Sequence, residues 1–190
     1  MMKRIALLCL SLPVMASAQT AREFFLSAPV ELVGYIDKSS RLDLLDYYDA
    51  GLGADRSVKT NRNVDARLLQ FTDSTFTVKV GEVLTICGKI LPAKSDTVVA
   101  MIETLATPAP DSKLTIYNKE WQALSKAWTA PADKAWGKHE GTFLLTEYTI
   151  EGDTLILSDR TGEWNKDLAP QTKTLKYVWQ PKSVKFKQLK

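Results

Sequence analysis

One histidine, His139, and one cysteine beyond residue 18, Cys87, set the limits of this chain's chemistry. A zinc finger or a multi-histidine metal centre needs more ligands than these, and any nucleophile–histidine pair has to use His139. That imidazole lies in Trp136-Gly137-Lys138-His139-Glu140-Gly141, the composition of an exposed loop. No G-x-S-x-G elbow, phosphate-binding glycine loop or H-E-x-x-H occurs. The sequence therefore nominates no catalytic residue, no metal-ligand set and no cofactor. Cys87 sits in the apolar run from Val83 to Leu91 and is expected as a buried structural thiol.

Carboxylates and aromatic rings are what remain. Asp43, Asp46 and Asp49 recur every third residue, so on a helix their carboxylates share a face that could meet a cation or a basic partner surface. A single helical face cannot wrap a calcium ion, which takes about six to eight oxygen ligands. Glu140 with Glu163 or Asp167 would supply the paired carboxylates of a hydrolase if one pocket held them roughly 5 to 9.5 Å apart. Asp159-Arg160-Thr161-Gly162, with Glu163, Asn165 and Asp167, is rich in oxygen atoms but lacks EF-hand spacing. Trp121, Trp128 and Trp179 occupy periodic, core-like positions, whereas Trp136 and Trp164 lie in expected loops where a ring could stack on a ligand. The candidate binding residues are therefore Arg41, Asp43, Asp46, Trp136 and Trp164.

The elements that must position these residues change character along the chain. Thr20-Ala21-Arg22-Glu23 is a capping box ahead of Phe24, Phe25 and Leu26. Pro29 either breaks that helix or opens a second segment reaching Asp37. Ser40-Arg41-Leu42-Asp43 repeats the cap logic, with Leu42, Leu45 and Tyr48 as an apolar face and Gly51 as the residue past the helix end. From Val64 the period becomes two. Strands are expected at Phe76–Val80, Val83–Leu91 (ended by Pro92), Thr97–Ala106, Lys113–Tyr117, Thr142–Ile150, Thr154–Leu157, Lys173–Gln180 and Ser183–Gln188. Gly81-Glu82, Glu151-Gly152-Asp153 and Gln180-Pro181-Lys182-Ser183 supply turns. Trp121, Leu124 and Trp128 after Asn118 predict one further helix near residues 119–128. The expected fold is α+β: N-terminal helices packed on a largely antiparallel β-meander sheet. One domain over 19–190 is expected, with a break near 129–141 as the alternative division.

Residues 1–18 read as a cleavable signal peptide. Lys3 and Arg4 precede an apolar stretch from Ile5 to Met15, and Ala16-Ser17-Ala18 is a small-residue cleavage site before Gln19. The stretch is shorter than the roughly 20 residues a membrane span needs, and no later segment approaches that length. The expected location is the periplasm or cell surface after cleavage near Ala18–Gln19. Lys3 and Arg4 belong to the 25 basic residues set against 22 acidic ones, so the rest of the chain carries a net charge of about +1. A chain so near neutrality has no electrostatic footprint for nucleic acid. Six lysines and no acid follow Asp167, with Lys185 and Lys187 alternating against Val184 and Phe186, a pattern that blunts a sheet edge. One cysteine permits no internal disulfide, so packing must hold the fold.

Two segments carry a resemblance. Ser39-Ser40-Arg41-Leu42-Asp43-Leu44-Leu45-Asp46 is similar to an early R-x-D-x-x-D helix, and Thr104 through Pro108, Asp111-Ser112 and Tyr117 to Trp121 to a later stretch, of an uncharacterised secreted Bacteroidales family, domain-of-unknown-function family 3256. The glycine-containing stretch usual after that helix is altered in Lys59 to Asp65. The resemblance implies a Gram-negative envelope setting and no known activity. The expected role is a non-catalytic exported protein binding an envelope partner or a small ligand. The alternatives are a carrier of lipid or another apolar ligand in a half-barrel cavity and a carboxylate-dependent hydrolase.

Overall fold

The computed structural model describes residues 19–94, 96–138, 143–164 and 173–189. Helix α1, Ala21–Ser27, starts at the expected capping box: the Glu23 N–H donates to Thr20 Oγ1 at 3.3 Å and the Thr20 N–H to Glu23 Oε2 at 2.7 Å. Pro29 opens only a short 3₁₀ turn, Val30–Val33, rather than a helix reaching Asp37. Helix α2, Lys38–Asp49, begins earlier than the Ser40 cap would place it, because the Asp37 carboxylate accepts the Ser40 N–H at 2.9 Å. That start sets the buried face as Arg41, Leu44 and Leu45 and leaves Leu42 exposed. Gly51, at φ 75°, follows the Ala50 cap as expected.

Two antiparallel sheets form instead of one. The first takes its strands in chain order: β1 Val58–Lys59, β2 Asp65–Thr72, β3 Thr75–Val80, β4 Leu84–Ala93, β5 Asp96–Leu105 and β6 Asp111–Tyr117. The second contains β7 Thr146–Glu151, β8 Thr154–Asp159, β9 Thr174–Gln180 and β10 Lys185–Gln188, ordered β10-β9-β8-β7. Pro92 does not end β4, since Pro92 pairs with Thr97 and Ala93 with Asp96.

The six-stranded sheet is the middle of three layers. On one face Phe24, Phe25, Leu44 and Leu45 pack with Phe76, Val78, Ile86, Val99 and Met101. On the other, Leu91, Val98, Ala100 and Ile102 meet Leu155, Leu157, Tyr177 and Trp179 of the second sheet. Strand β5 is therefore buried on both faces, and it reads as the continuous run Val98–Ile102 rather than an alternation. The sheets are joined at an edge, where Asp111 Oδ1 accepts the Thr146 N–H at 3.2 Å and Ser112 Oγ the Tyr148 N–H at 3.0 Å.

The helix expected near 119–128 does not form. Asn118 Oδ1 accepts the amides of Glu120 and Gln122, closing a side-chain turn, and Trp121 takes a left-handed φ of 61°. Ala123 then bridges back to Tyr117. The tryptophans serve different cores: Trp121 stacks edge-on against Phe24 in the helix layer, while Trp128 meets Tyr148, Tyr177 and Phe186 between the sheets. The single apolar stripe of a helix could not serve both.

Candidate functional site

The nominated residues do not converge. Arg41 is 3% exposed and donates to the carbonyl oxygens of Phe25 (2.6 Å) and Ala28 (2.8 Å), closing the open end of α1 from α2. Burial lowers its pKa from the ordinary guanidinium value, with Asp37 opposing that shift. The contact runs from helix to helix. Asp43 and Asp46 face solvent on the same helix. Trp136 is buried between the sheets, at the end of a 3₁₀ turn, Asp133–Trp136. Trp164 is exposed and packs edge-on against the equally open Phe143 at 5.3 Å. Glu163 pairs with Arg160 at 2.7 Å, while His139, Glu140 and Asp167 lie outside the described residues. Cys87 is half-buried, and desolvation pushes its thiol pKa up, away from a reactive thiolate.

A groove of about 360 Å³ opens instead at one end of the helix layer. Val80 and Ile86, from β3 and β4, form its apolar floor, and Glu31, Gly34 and Tyr35 make one wall. Thr60, Arg62 and Val64 make the other, with Gly81, Val83, Leu84 and Glu103 completing the rim.

Unusual backbone geometry builds those walls. The 3₁₀ turn ends at Gly34, φ 70°, where an added Cβ would lie 2.6 Å from Val80 Cγ2, so only glycine lets this wall sit on the floor. Tyr35 follows, also left-handed at φ 62°, its N–H bonded to the Val30 carbonyl at 2.7 Å and its own carbonyl accepting the Asn61 N–H at 2.8 Å. The opposite wall is a tight turn in which buried Thr60 Oγ1 accepts the amides of Arg62 and Val64, with Asn63 left-handed at φ 59°. Gly81, φ 58°, ends β3 beside Val64. The walls meet where the Arg62 guanidinium lies 3.5 Å from the centre of the Tyr35 ring.

Sequence reading reached Gly81 as a turn residue and placed Tyr35 in the segment reaching Asp37 and Glu103 in a strand, but nominated none of Tyr35, Arg62 and Glu103 for a site. Gly34 preceding Tyr35 was the available signal. The pairing of Tyr35 with Arg62 is tertiary and leaves no periodic trace.

A family model described as "Protein of unknown function (DUF3256)" matches residues 13–188. The chain belongs to the DUF3256 family. A solved structure, that of a domain of an uncharacterized protein from Porphyromonas gingivalis W83, is similar in fold, with a TM-score of 0.70 at 18% identity. The match covers 91% of this chain and 100% of that one. No curated protein matches the chain.

The family's two resembling segments acquire structural tasks in this chain. Arg41 ties α2 to α1, and Asp111 with Ser112 ties the two sheets together. Trp121 seals the helix layer, its indole N–H donating to Ser27 Oγ at 3.2 Å. Among the described residues no cluster of His, Cys, Asp or Glu is arranged to hold a metal ion, and no helix is long and apolar enough to cross a membrane.

Proposed function

We propose that this is a non-catalytic exported envelope protein that binds an apolar segment of a partner or ligand in the groove between Tyr35 and Val64. The observation that carries the reading is Tyr35. A tyrosine held in the left-handed region costs on the order of 1 kcal/mol or more and persists only where its surroundings impose it. Here the imposed geometry sets Tyr35 in the wall of an open, apolar-floored groove. Two polar members of that groove are already engaged, a guanidinium on a ring and a threonine hydroxyl by two amides, which favours binding over catalysis.

The interior-cavity carrier is less well supported, because Phe24, Phe25, Leu44, Leu45 and Phe76 fill the helix–sheet layer where such a cavity would lie. The hydrolase reading rests on Glu140 and Asp167, outside the described residues, and on a Glu163 already paired with Arg160. The export reading gains support from α1, whose capping box begins one residue beyond the expected cleavage point. N-terminal sequencing of the protein from its native cells is expected to begin at Gln19; retention of residues 1–18 would reject export by cleavage.

Nile red, a neutral apolar dye, tests the groove. Its emission is expected to rise on binding the protein and to fall back in Val83→Trp, which fills the mouth from a position 45% exposed. Equal emission from the variant and the wild type would place apolar binding elsewhere.

A further inference from the structure

Resting on the groove reading above, we infer that the occupant is a segment of a partner polypeptide that inserts a lysine side chain, its apolar stem on the floor and its ammonium between Glu31 and Glu103. The charge of the lining gives the sign. Two carboxylates stand against one guanidinium, a net charge of −1 around a floor of Val80 and Ile86. Arg62 is turned onto the Tyr35 ring and forms no ion pair among the described residues. Glu103 stands half-buried on the helix-layer face of β5, two residues beyond the core residue Met101. Lys113 is its cross-strand neighbour, but it is exposed on β6 and outside the lining.

A lysine matches this surface part by part. Its four-carbon stem covers apolar surface while its head keeps three donors for carboxylates. An occupant with one positive charge leaves the groove neutral, whereas an anionic one would face two carboxylates in a partly desolvated site.

The area around the groove indicates a polypeptide rather than a free amine. Val64, Val83 and Leu105 are 39%, 45% and 53% exposed. They form an apolar collar at this end of the sheet: Leu105 pairs with Leu84 in the β4–β5 ladder, and Val83 accepts the Ala106 N–H at 2.8 Å. A small amine in the groove would leave that collar wet, while residues flanking a lysine would cover it.

Partner addition to a strand edge is a weaker route, because the edges carry blunting devices. Strand β2 bulges between Leu68 and Gln70, β7 is capped by Asp111 and Ser112, and Ala127 holds the Phe186 amide of the lysine-bearing β10.

The test compares matched probes by amide chemical shifts of the protein: hexylammonium, hexanol, hexanoate, and an acetylated, amidated pentapeptide with a central lysine flanked by leucines. Hexylammonium is expected to bind about fivefold more tightly than hexanol, as one exposed and one half-buried carboxylate can supply. Hexanoate is expected to bind more weakly than either. Glu103→Gln and Glu31→Gln should each narrow the hexylammonium preference. The pentapeptide should move the amides of Val83 and Leu105 as well as those of Gly34 and Gly81. Equal binding of hexylammonium and hexanol at the groove would overturn the lysine assignment and leave the groove reading standing. Binding of hexylammonium without the pentapeptide would overturn the polypeptide partner. If no probe moves Gly34 or Gly81, both readings fall together.

Discussion

Phe76 and Gly88 face each other across β3 and β4, and the ring occupies the space a side chain would need. A Cβ on Gly88 would lie 2.2 Å from Phe76 Cζ, and Phe76 is fully buried, so the ring has nowhere to turn. Gly88→Ala is therefore expected to destabilise the fold by about 3 kcal/mol, the upper range for overpacking, and Phe76→Leu in the same chain to recover part of it. Urea unfolding of the two variants measures this. Arg41 makes a parallel case: Arg41→Met removes two charge-assisted bonds to buried carbonyls and is expected to cost about 3 kcal/mol, whereas Asp43→Asn and Asp46→Asn should stay within about 0.5 kcal/mol. At this scale the sequence was readable where the contact is local. Thr20 and Glu23 are three residues apart, and their reciprocal capping needs nothing else. Arg41 finds its partners 13 and 16 residues away, a distance at which a buried arginine and an exposed docking arginine look alike.

Elements were legible in proportion to how far one period governed them. Strands β3, β8 and β9 alternate and were placed within a residue or two of their ends; the segment after Asn118 imitated a helical period because two tryptophans serving opposite cores happen to lie seven residues apart. The start of α2 was missed because Asp37 and Ser40 both suit a cap, and only the tertiary path of the Tyr35 turn selects Asp37. That cap makes the helix pH-sensitive. The Ser40 N–H, followed by the Ser39 hydroxyl, holds the Asp37 carboxyl below its ordinary pKa, so the folded state binds this proton less readily than the unfolded chain. Its contribution is present above about pH 4 and is lost as the pH falls through the lower, folded-state value. Asp37→Asn keeps an acceptor at the cap but removes the titration. The expected result is a shallower loss of melting temperature than wild type on acidification below about pH 4, followed by circular dichroism.

Across the whole molecule, the antiparallel architecture and N-terminal helices follow from composition and period, but the division into two sheets does not. Which face of β5 meets helices and which meets β8 and β9 is decided by long-range packing, and a strand buried on both sides carries no alternation to reveal it. The second sheet has its own buried charge: Lys138 and Asp159 lie 3.7 Å apart, with side chains 10% and 0% exposed, and Asp159 Oδ1 also accepts the Thr161 N–H. Asp159→Ala strands that ammonium and is expected to cost about 3 kcal/mol, with Lys138→Met in the same chain restoring much of it, as chemical denaturation would show. The groove, by contrast, is assembled from the 3₁₀ turn, the Thr60 turn and the ends of three strands, so no stretch of sequence contains it. Its role is tested most directly by mapping amide chemical shifts as neutral hexanol is added to the protein. The expected map concentrates on Gly34, Tyr35, Val80, Gly81 and Ile86; shifts concentrated instead around Phe143 and Trp164, with the groove amides unmoved, would contradict it.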